Sequence, residues 1–326
     1  MRRLLRLLAP LALLAACADG RESSTATASS IAAPTTAAPT TTPVVAPPLV
    51  GVGMTPRTYE GTGFPDFLAG IDGQTDLLMH AGGWNEAGTA GSPIDVAATL
   101  AEQRGLGAVI VLQPSADASV DALSTFLTAH HPAYLGLGNE VNLLASNDPA
   151  AFEALVALWQ QALPIVREMS PDTKVFVTFQ YEWLLGRRDG WFGGAVAEPQ
   201  WDLLDRFPGA DLVGFTTYPS LVFEQPSDLP ADYYAQVAQH TDLPVILTEV
   251  GWTADETLPL LPGSAAEQTD FIALLSQQAT AARIEAMVWT FVHGDLVVDQ
   301  QFNGMGLFAP DGTARPAWTA WTGLRE

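Results

Sequence analysis

The sequence predicts one (β/α)8 barrel, a TIM barrel, and three observations predict it. Residues 49–326 form a stretch of 278, close to the roughly 250 typical of that architecture. Within it, eight short apolar or β-branched runs recur, at 50–54, 76–79, 108–112, 134–138, 175–179, 212–216, 245–248 and 286–291. Most lack polar alternation, the pattern of parallel strands buried on both faces. The intervals carry helical spacing: Phe152, Leu155, Val156, Trp159 and Leu163 recur at three- and four-residue steps, as do Phe271, Leu274 and Leu275. A doubly wound sheet also alternates strand and helix. Its glycine fingerprint is missing, because Gly51-Val52-Gly53 lacks a third glycine and runs into Pro56.

Composition narrows the function. Against 14 Lys plus Arg stand 36 Asp plus Glu, a net charge of −22, which excludes nucleic acid as a partner because phosphate affinity needs clustered cations. The same charge disfavours a polyanionic substrate and favours a neutral one. With 48% hydrophobic and 15% charged residues the chain has material for a large core, which excludes disorder over its whole length. One Cys permits neither an internal disulfide nor a thiolate metal cluster. His130-His131-Pro132 falls before the fourth run, away from the other candidate residues. No metal and no cofactor is expected.

The N-terminus reads as an address. Arg2, Arg3 and Arg6 form a positive start, and the run from Leu4 to Ala16, otherwise apolar, is too short to span a bilayer comfortably, as in a secretory signal over 1–16. It ends in Leu14-Ala15-Ala16-Cys17, which resembles the bacterial lipobox. That resemblance implies diacylation of Cys17, a membrane anchor and a place in the bacterial cell envelope. From Arg21 to Pro48, 23 of 28 residues are Ser, Thr, Ala or Pro. Too apolar-poor to offset its chain entropy, the segment 17–48 is expected to be a disordered tether. The domain follows over 49–326.

In a barrel the chemistry gathers where strands end. The fourth run leads into Leu137-Gly138-Asn139-Glu140-Val141-Asn142 and the seventh into Leu247-Thr248-Glu249-Val250-Gly251-Trp252. Neither Glu140 nor Glu249 has a Lys or Arg within ten residues, so local ion pairing cannot account for them. Two acids on facing strands are what glycoside hydrolysis requires: one protonates the leaving oxygen, and the other attacks or activates water. Gln180 after the fifth run and His80 after the second are further candidates for the same mouth. Trp84, Trp183, Trp191 and Trp252 lie in exit loops, where aromatic rings can stack on sugars.

Asn139-Glu140 and Glu249 resemble the paired signatures of glycoside hydrolase clan A, the "4/7" retaining glycosidases that include cellulases, mannanases and endo-β-galactanases. The resemblance runs over the whole barrel, with specificity only in these two motifs. It implies Glu140 as general acid/base, Glu249 as nucleophile and Asn139 as partner of the sugar 2-hydroxyl. It also implies that Tyr218, in Thr216-Thr217-Tyr218-Pro219, orients the nucleophile and that Trp289 forms a platform under the sugar. One departure is plain: many cellulase-like members carry an Arg after the second strand, where this chain has His80-Ala81-Gly82-Gly83-Trp84.

The expectation is therefore a surface-tethered retaining β-glycoside hydrolase, acting as a monomer on a neutral carbohydrate. A catalytically silent barrel that binds glycan or organises the envelope is the alternative, and it would need neither acid. The sequence contains no G-x-S-x-G or H-E-x-x-H motif, against esterase and zinc-protease chemistry.

Overall fold

The computed structural model describes residues 47–115, 118–297 and 299–325; the expected signal over 1–16, Cys17 and all of the expected tether but its last two residues lie outside them. Nine parallel strands follow in chain order: β1 Leu49–Gly53, β2 Leu77–Gly83, β3 Gly107–Gln113, β4 Tyr134–Gly136, β5 Lys174–Phe176, β6 Thr178–Gln180, β7 Val213–Thr217, β8 Val245–Val250 and β9 Ile284–Trp289. Their order across the sheet is β5-β4-β3-β2-β1-β9-β8-β7-β6. The two ends of that list are one stretch of chain, interrupted only at Val177, so the sheet closes and the nine segments occupy eight barrel positions. The closure is hydrogen-bonded on both sides: Leu137 N–H donates to Phe176 O on one, and Gly214 N–H donates to Val177 O on the other.

Strand alternation sorts side chains into two cores. Leu77, Met79, Val109, Val111, Phe176, Ile246 and Val288 belong to the cluster that fills the barrel. Their neighbours Leu78, Ile110, Val175, Leu247 and Met287 face the outer layer. The apolar runs found in the sequence match these strands, with shifted ends. β2 continues to Gly83 because backbone pairing to β3 persists through His80↔Ile110 and Gly83↔Gln113, which a count of apolar residues cannot see.

The outer layer is uneven. Long helices follow β2 (Pro93–Arg104), β3 (Val120–Ala129), β4 (Pro149–Met169) and β8 (Ala265–Ala279). The start signals are ordinary ones: Ser92 caps Asp95 N–H with Pro93 at the first helical position, and Ser264 and Glu267 form a reciprocal capping box. After β6 and β7, by contrast, only short helical turns occur. Those two connections are free to build the mouth instead.

Candidate active site

Two acids reach the mouth by two different backbone devices. β4 ends at Gly136, and the chain then leaves the ladder through Gly138, where a Cβ would stand 2.7 Å from Val141 Cγ1. Glu140 takes φ 49° and ψ 45° as it opens the helix Val141–Asn147, a left-handed backbone that costs of order 1–3 kcal/mol in a residue with a side chain. Thr178 secures it, because its Oγ1 accepts from Glu140 N–H at 2.8 Å and donates to Asn139 Oδ1 at 2.6 Å.

Glu249 depends on a bulge. Strict alternation would put it on the face of Leu247, against the outer layer. Pairing with β7 instead steps from Phe215↔Leu247 to Thr216↔Glu249, skipping Thr248. The register against β9 shifts over the same residues. Bulges re-aim side chains in this way, and here Glu249 turns inward while Val250 joins the outer core.

Donors without charge then fix both carboxylates. Tyr218 OH donates to Glu249 Oε2 at 2.6 Å and lies 3.0 Å from Thr290 Oγ1; Asn139 Nδ2 approaches Glu249 Oε1 at 3.5 Å. Thr216 Oγ1 donates to Glu140 Oε1 at 2.7 Å. Burial, and next the negative charge of Glu249, push the Glu140 carboxyl up to about 7, although the Thr216 bond opposes the shift. Burial also raises Glu249, with the Tyr218 and Asn139 bonds pulling it back. The two titrate as one system.

Around this pair lies a cleft of about 360 Å³ lined by Gln113, Gln180, Trp191, Phe192, Phe291 and Phe302, among others. One side is a packed apolar wall. Tyr218, Leu221, Val222 and Met305 form its buried part, and Trp191 meets Phe302 edge-on across the mouth with ring centroids 5.6 Å apart.

Among the residues singled out from the sequence, Asn139, Glu140, Gln180, Tyr218 and Glu249 come together at this cleft. Four others do not. Trp289 is wholly buried, edge-on to Trp321, with Nε1 donating to Met305 O. It cannot form a sugar platform, because β9 points Ala286 and Val288 into the barrel and Trp289 outward. Trp252 packs on Phe271 and Trp84 lies in the same outer core, both without exposure. His80 occupies the β2 face of Leu78, whereas Met79 and Ala81 face inward; burial lowers its pKa and keeps it neutral. The cleft aromatics are instead Trp191, already marked as a loop residue, and Phe192, Phe291 and Phe302. His130 pairs with Asp95 at 2.7 Å, and no cluster suited to a metal occurs among the described residues.

Sequence reasoning missed Thr178, Thr216, Thr290 and Glu182. The threonines were legible in part, since a hydroxyl at an inward position of a strand end has no apolar partner to seek. Glu182 gave no signal, as it follows a strand and opens a helix like any solvated acid.

Comparisons with known proteins bear on the fold. No family model matches the chain, and no curated protein matches it by sequence. Solved structures do. A xylanase from Thermotoga petrophila RKU-1 in complex with xylobiose superposes with a TM-score of 0.59 at 11% identity, covering 86% of this chain and 94% of its own. A thermostable mutant of a xylanase from Cellvibrio japonicus gives 0.61 at 13%, covering 86% and 99%. A family 17 β-1,3-glucanosyltransferase from Rhizomucor miehei gives 0.60 at 13%, covering 83% and 97%. At such identities the likeness establishes the (β/α)8 barrel fold, and the neighbours that share it are glycoside hydrolases, clan A enzymes among them.

Proposed function

We propose that the protein is a retaining β-glycoside hydrolase with Glu140 as general acid/base and Glu249 as nucleophile. One observation carries this reading: two carboxyls in one cleft, with no Lys or Arg among the described residues that line it, in environments that separate their roles. Glu140 Oε1 is engaged by Thr216, leaving Oε2 for the proton given to the departing glycosidic oxygen. Glu249 Oε2 is gripped by Tyr218, leaving the loosely held Oε1 to attack the anomeric carbon. Asn139 has its Oδ1 taken by Thr178, so an amide N–H remains for a sugar hydroxyl. In the second half-reaction Glu140 removes a proton from water, which displaces Glu249 from the anomeric carbon and restores both acids. Two inversions give net retention.

The substrate in this reading is a neutral oligo- or polysaccharide, bound against Trp191 and the phenylalanines of the wall. A panel of aryl β-glycosides with residues 49–326 tests the activity. Proton NMR of the first-formed sugar tests the mechanism: β-anomer is expected, and an α-anomer from a β-substrate would sink it. The proposal includes anchoring of the domain to the envelope through lipidated Cys17. Cys17→Ser should release the protein from membranes while leaving turnover unchanged, and full membrane partitioning of the variant would refute the anchor.

A further inference from the structure

A third glutamate lies behind the cleft and takes no part in the steps above. Glu182, in the short helix Tyr181–Leu184, is wholly buried. Its Oε1 accepts from Thr217 Oγ1 at 2.8 Å and Tyr233 OH at 2.9 Å. Its Oε2 accepts from Gln180 Nε2 at 2.6 Å and Tyr218 N–H at 3.1 Å. No ion pair reaches it among the described residues; Arg187, the guanidinium nearest in sequence, is committed to Asp189 and to Val222 O. Tyrosine rings complete the enclosure. Tyr181, Tyr233 and Tyr234 pack on one another with centroids 4.9 to 5.4 Å apart, and Tyr234 OH meets Thr217 Oγ1 at 2.9 Å.

For stability alone this is a poor use of a buried position, because an acid removed from water is costly and an apolar residue of similar volume serves the core as well or better. The identity of the donors points elsewhere. Two of the four belong to cleft residues: the side chain of Gln180 and the backbone of Tyr218, whose hydroxyl grips Glu249. The contacts form a line, Glu182 to Tyr218 to Glu249, with the backbone of Tyr218 fixed at one end and its phenol aimed at the other.

Resting on the hydrolase reading, we propose that Glu182 is a positioning residue, a buried four-donor anchor that aims Tyr218 at Glu249 and holds Gln180 at the cleft edge. Burial raises the Glu182 carboxyl while the Thr217, Tyr218 and Tyr233 bonds oppose the shift, and when ionised it is among the groups that raise Glu140.

Two substitutions separate positioning from simple structural support. In Glu182→Gln the amide oxygen can still accept from Tyr218 N–H and Gln180 Nε2, while the amide nitrogen faces two hydroxyls that can rotate to accept. Glu182→Leu leaves all four donors without an acceptor. With an aryl β-glycoside, E182L should lower kcat on the order of a hundredfold, the scale of a reacting group misplaced by about 1 Å, with KM little changed. E182Q should recover most of that loss. A readout independent of turnover accompanies it: in protein carrying ¹³C-labelled glutamate, the Glu249 carboxyl should titrate at higher pH in E182L than in wild type, because the Tyr218 bond that lowers it is misaligned, and E182Q should restore it. If E182L does not fold, the Thr217→Val/Tyr233→Phe pair, which strips both donors from Oε1, should shift kcat and the Glu249 titration in the same directions by less. A wild type that cleaves no glycoside refutes the hydrolase reading and leaves the titration to decide the anchor. A folded E182L with wild-type Glu249 titration overturns the proposal, as does wild-type kcat in an active enzyme.

Discussion

At the N-terminal end of the barrel, Glu285 meets Lys174 at 2.5 Å, Asp76 meets Arg325 at 2.9 Å, and Asp211 meets Arg167 at 2.8 Å. At the C-terminal mouth, Glu140, Glu182 and Glu249 meet only hydroxyls and amides among the described residues. The same residue types are used at both ends, in a chain with 36 acids and few cations to distribute. What differs is the charge of the partner. A cation paired to a carboxyl makes it a structural clasp; neutral donors fix the position of an acid without fixing its charge, so burial and a neighbouring acid can raise the Glu140 pKa into the working range of a proton donor. The paired end ties strands to the outer layer, as where Asp211 also accepts from Val175 N–H. The three unpaired acids at the mouth stay available for chemistry.

The largest expected effect breaks this contrast at the mouth. Glu249→Ala should cost a thousandfold or more in hydrolysis of any aryl β-glycoside, since no other group can attack. Glu140→Ala should cost less with an activated leaving group. The glycosyl-enzyme then forms without a proton donor and accumulates, and added azide should speed turnover and yield a β-glycosyl azide, identified by NMR.

Next comes pH. Glu140 is raised from 4.5 to about 7 in the fold, so the native state binds a proton that the unfolded chain has already released. Its contribution to stability is complete below about pH 4.5 and disappears as pH rises through 7. Removing the titration by Glu140→Gln should therefore raise Tm relative to wild type at pH 8, with the difference shrinking in acid. Asp95 has the opposite sign. The His130 hydrogen bond, and next that from Gly91 N–H, lower it below 3.8; its contribution is present above that value and is lost as pH falls through the folded pKa. Thermal melts of wild type, E140Q and Asp95→Asn across pH should show the two slopes. Activity itself should follow a bell with its alkaline limb near 7, and a rate flat from mild acid to strong base would count against the assigned pair.

Smaller effects sharpen the comparison at the paired end. Arg167→Ala removes two parallel bonds to Asp211, at 2.8 and 2.9 Å, together with bonds to Gly209 O and Thr173 O. It should cost about 1 kcal/mol, discounted for the exposure of both groups, with kcat untouched. In the outer layer, near the start of the helix after β4, Arg206→Ala breaks an exposed pair with Glu153 and should change stability by no more than about 0.5 kcal/mol. If Arg167→Ala altered kcat, the separation of the two ends would be incorrect.

The barrel was legible because its signal is local and repeated: eight buried parallel strands must be apolar runs, and helices between them must carry a stripe. Both acids were legible for a similar reason, as polar residues ending apolar runs with no cation nearby. The direction of side chains was not. Trp289 and Glu249 each lie at or near a strand end, and that position alone does not decide which of them faces the cleft. A register shift between β8 and its neighbours sends Glu249 inward, while unbroken alternation sends Trp289 outward into the core. A bulge leaves no mark that a single sequence reveals, because it depends on how three strands pair. Glu182 shows the same boundary from the other side. Of its four donors only Gln180 is a near neighbour in the chain; those from positions 217, 218 and 233 are distant enough that only folding brings them to the same carboxylate. Sequence alone determined the class of fold, the scarcity of cations and the two acids at strand ends, all of which follow from residue type and spacing. Tertiary structure decided which face each side chain takes and which partners hold it, because those depend on register and on contacts across the barrel.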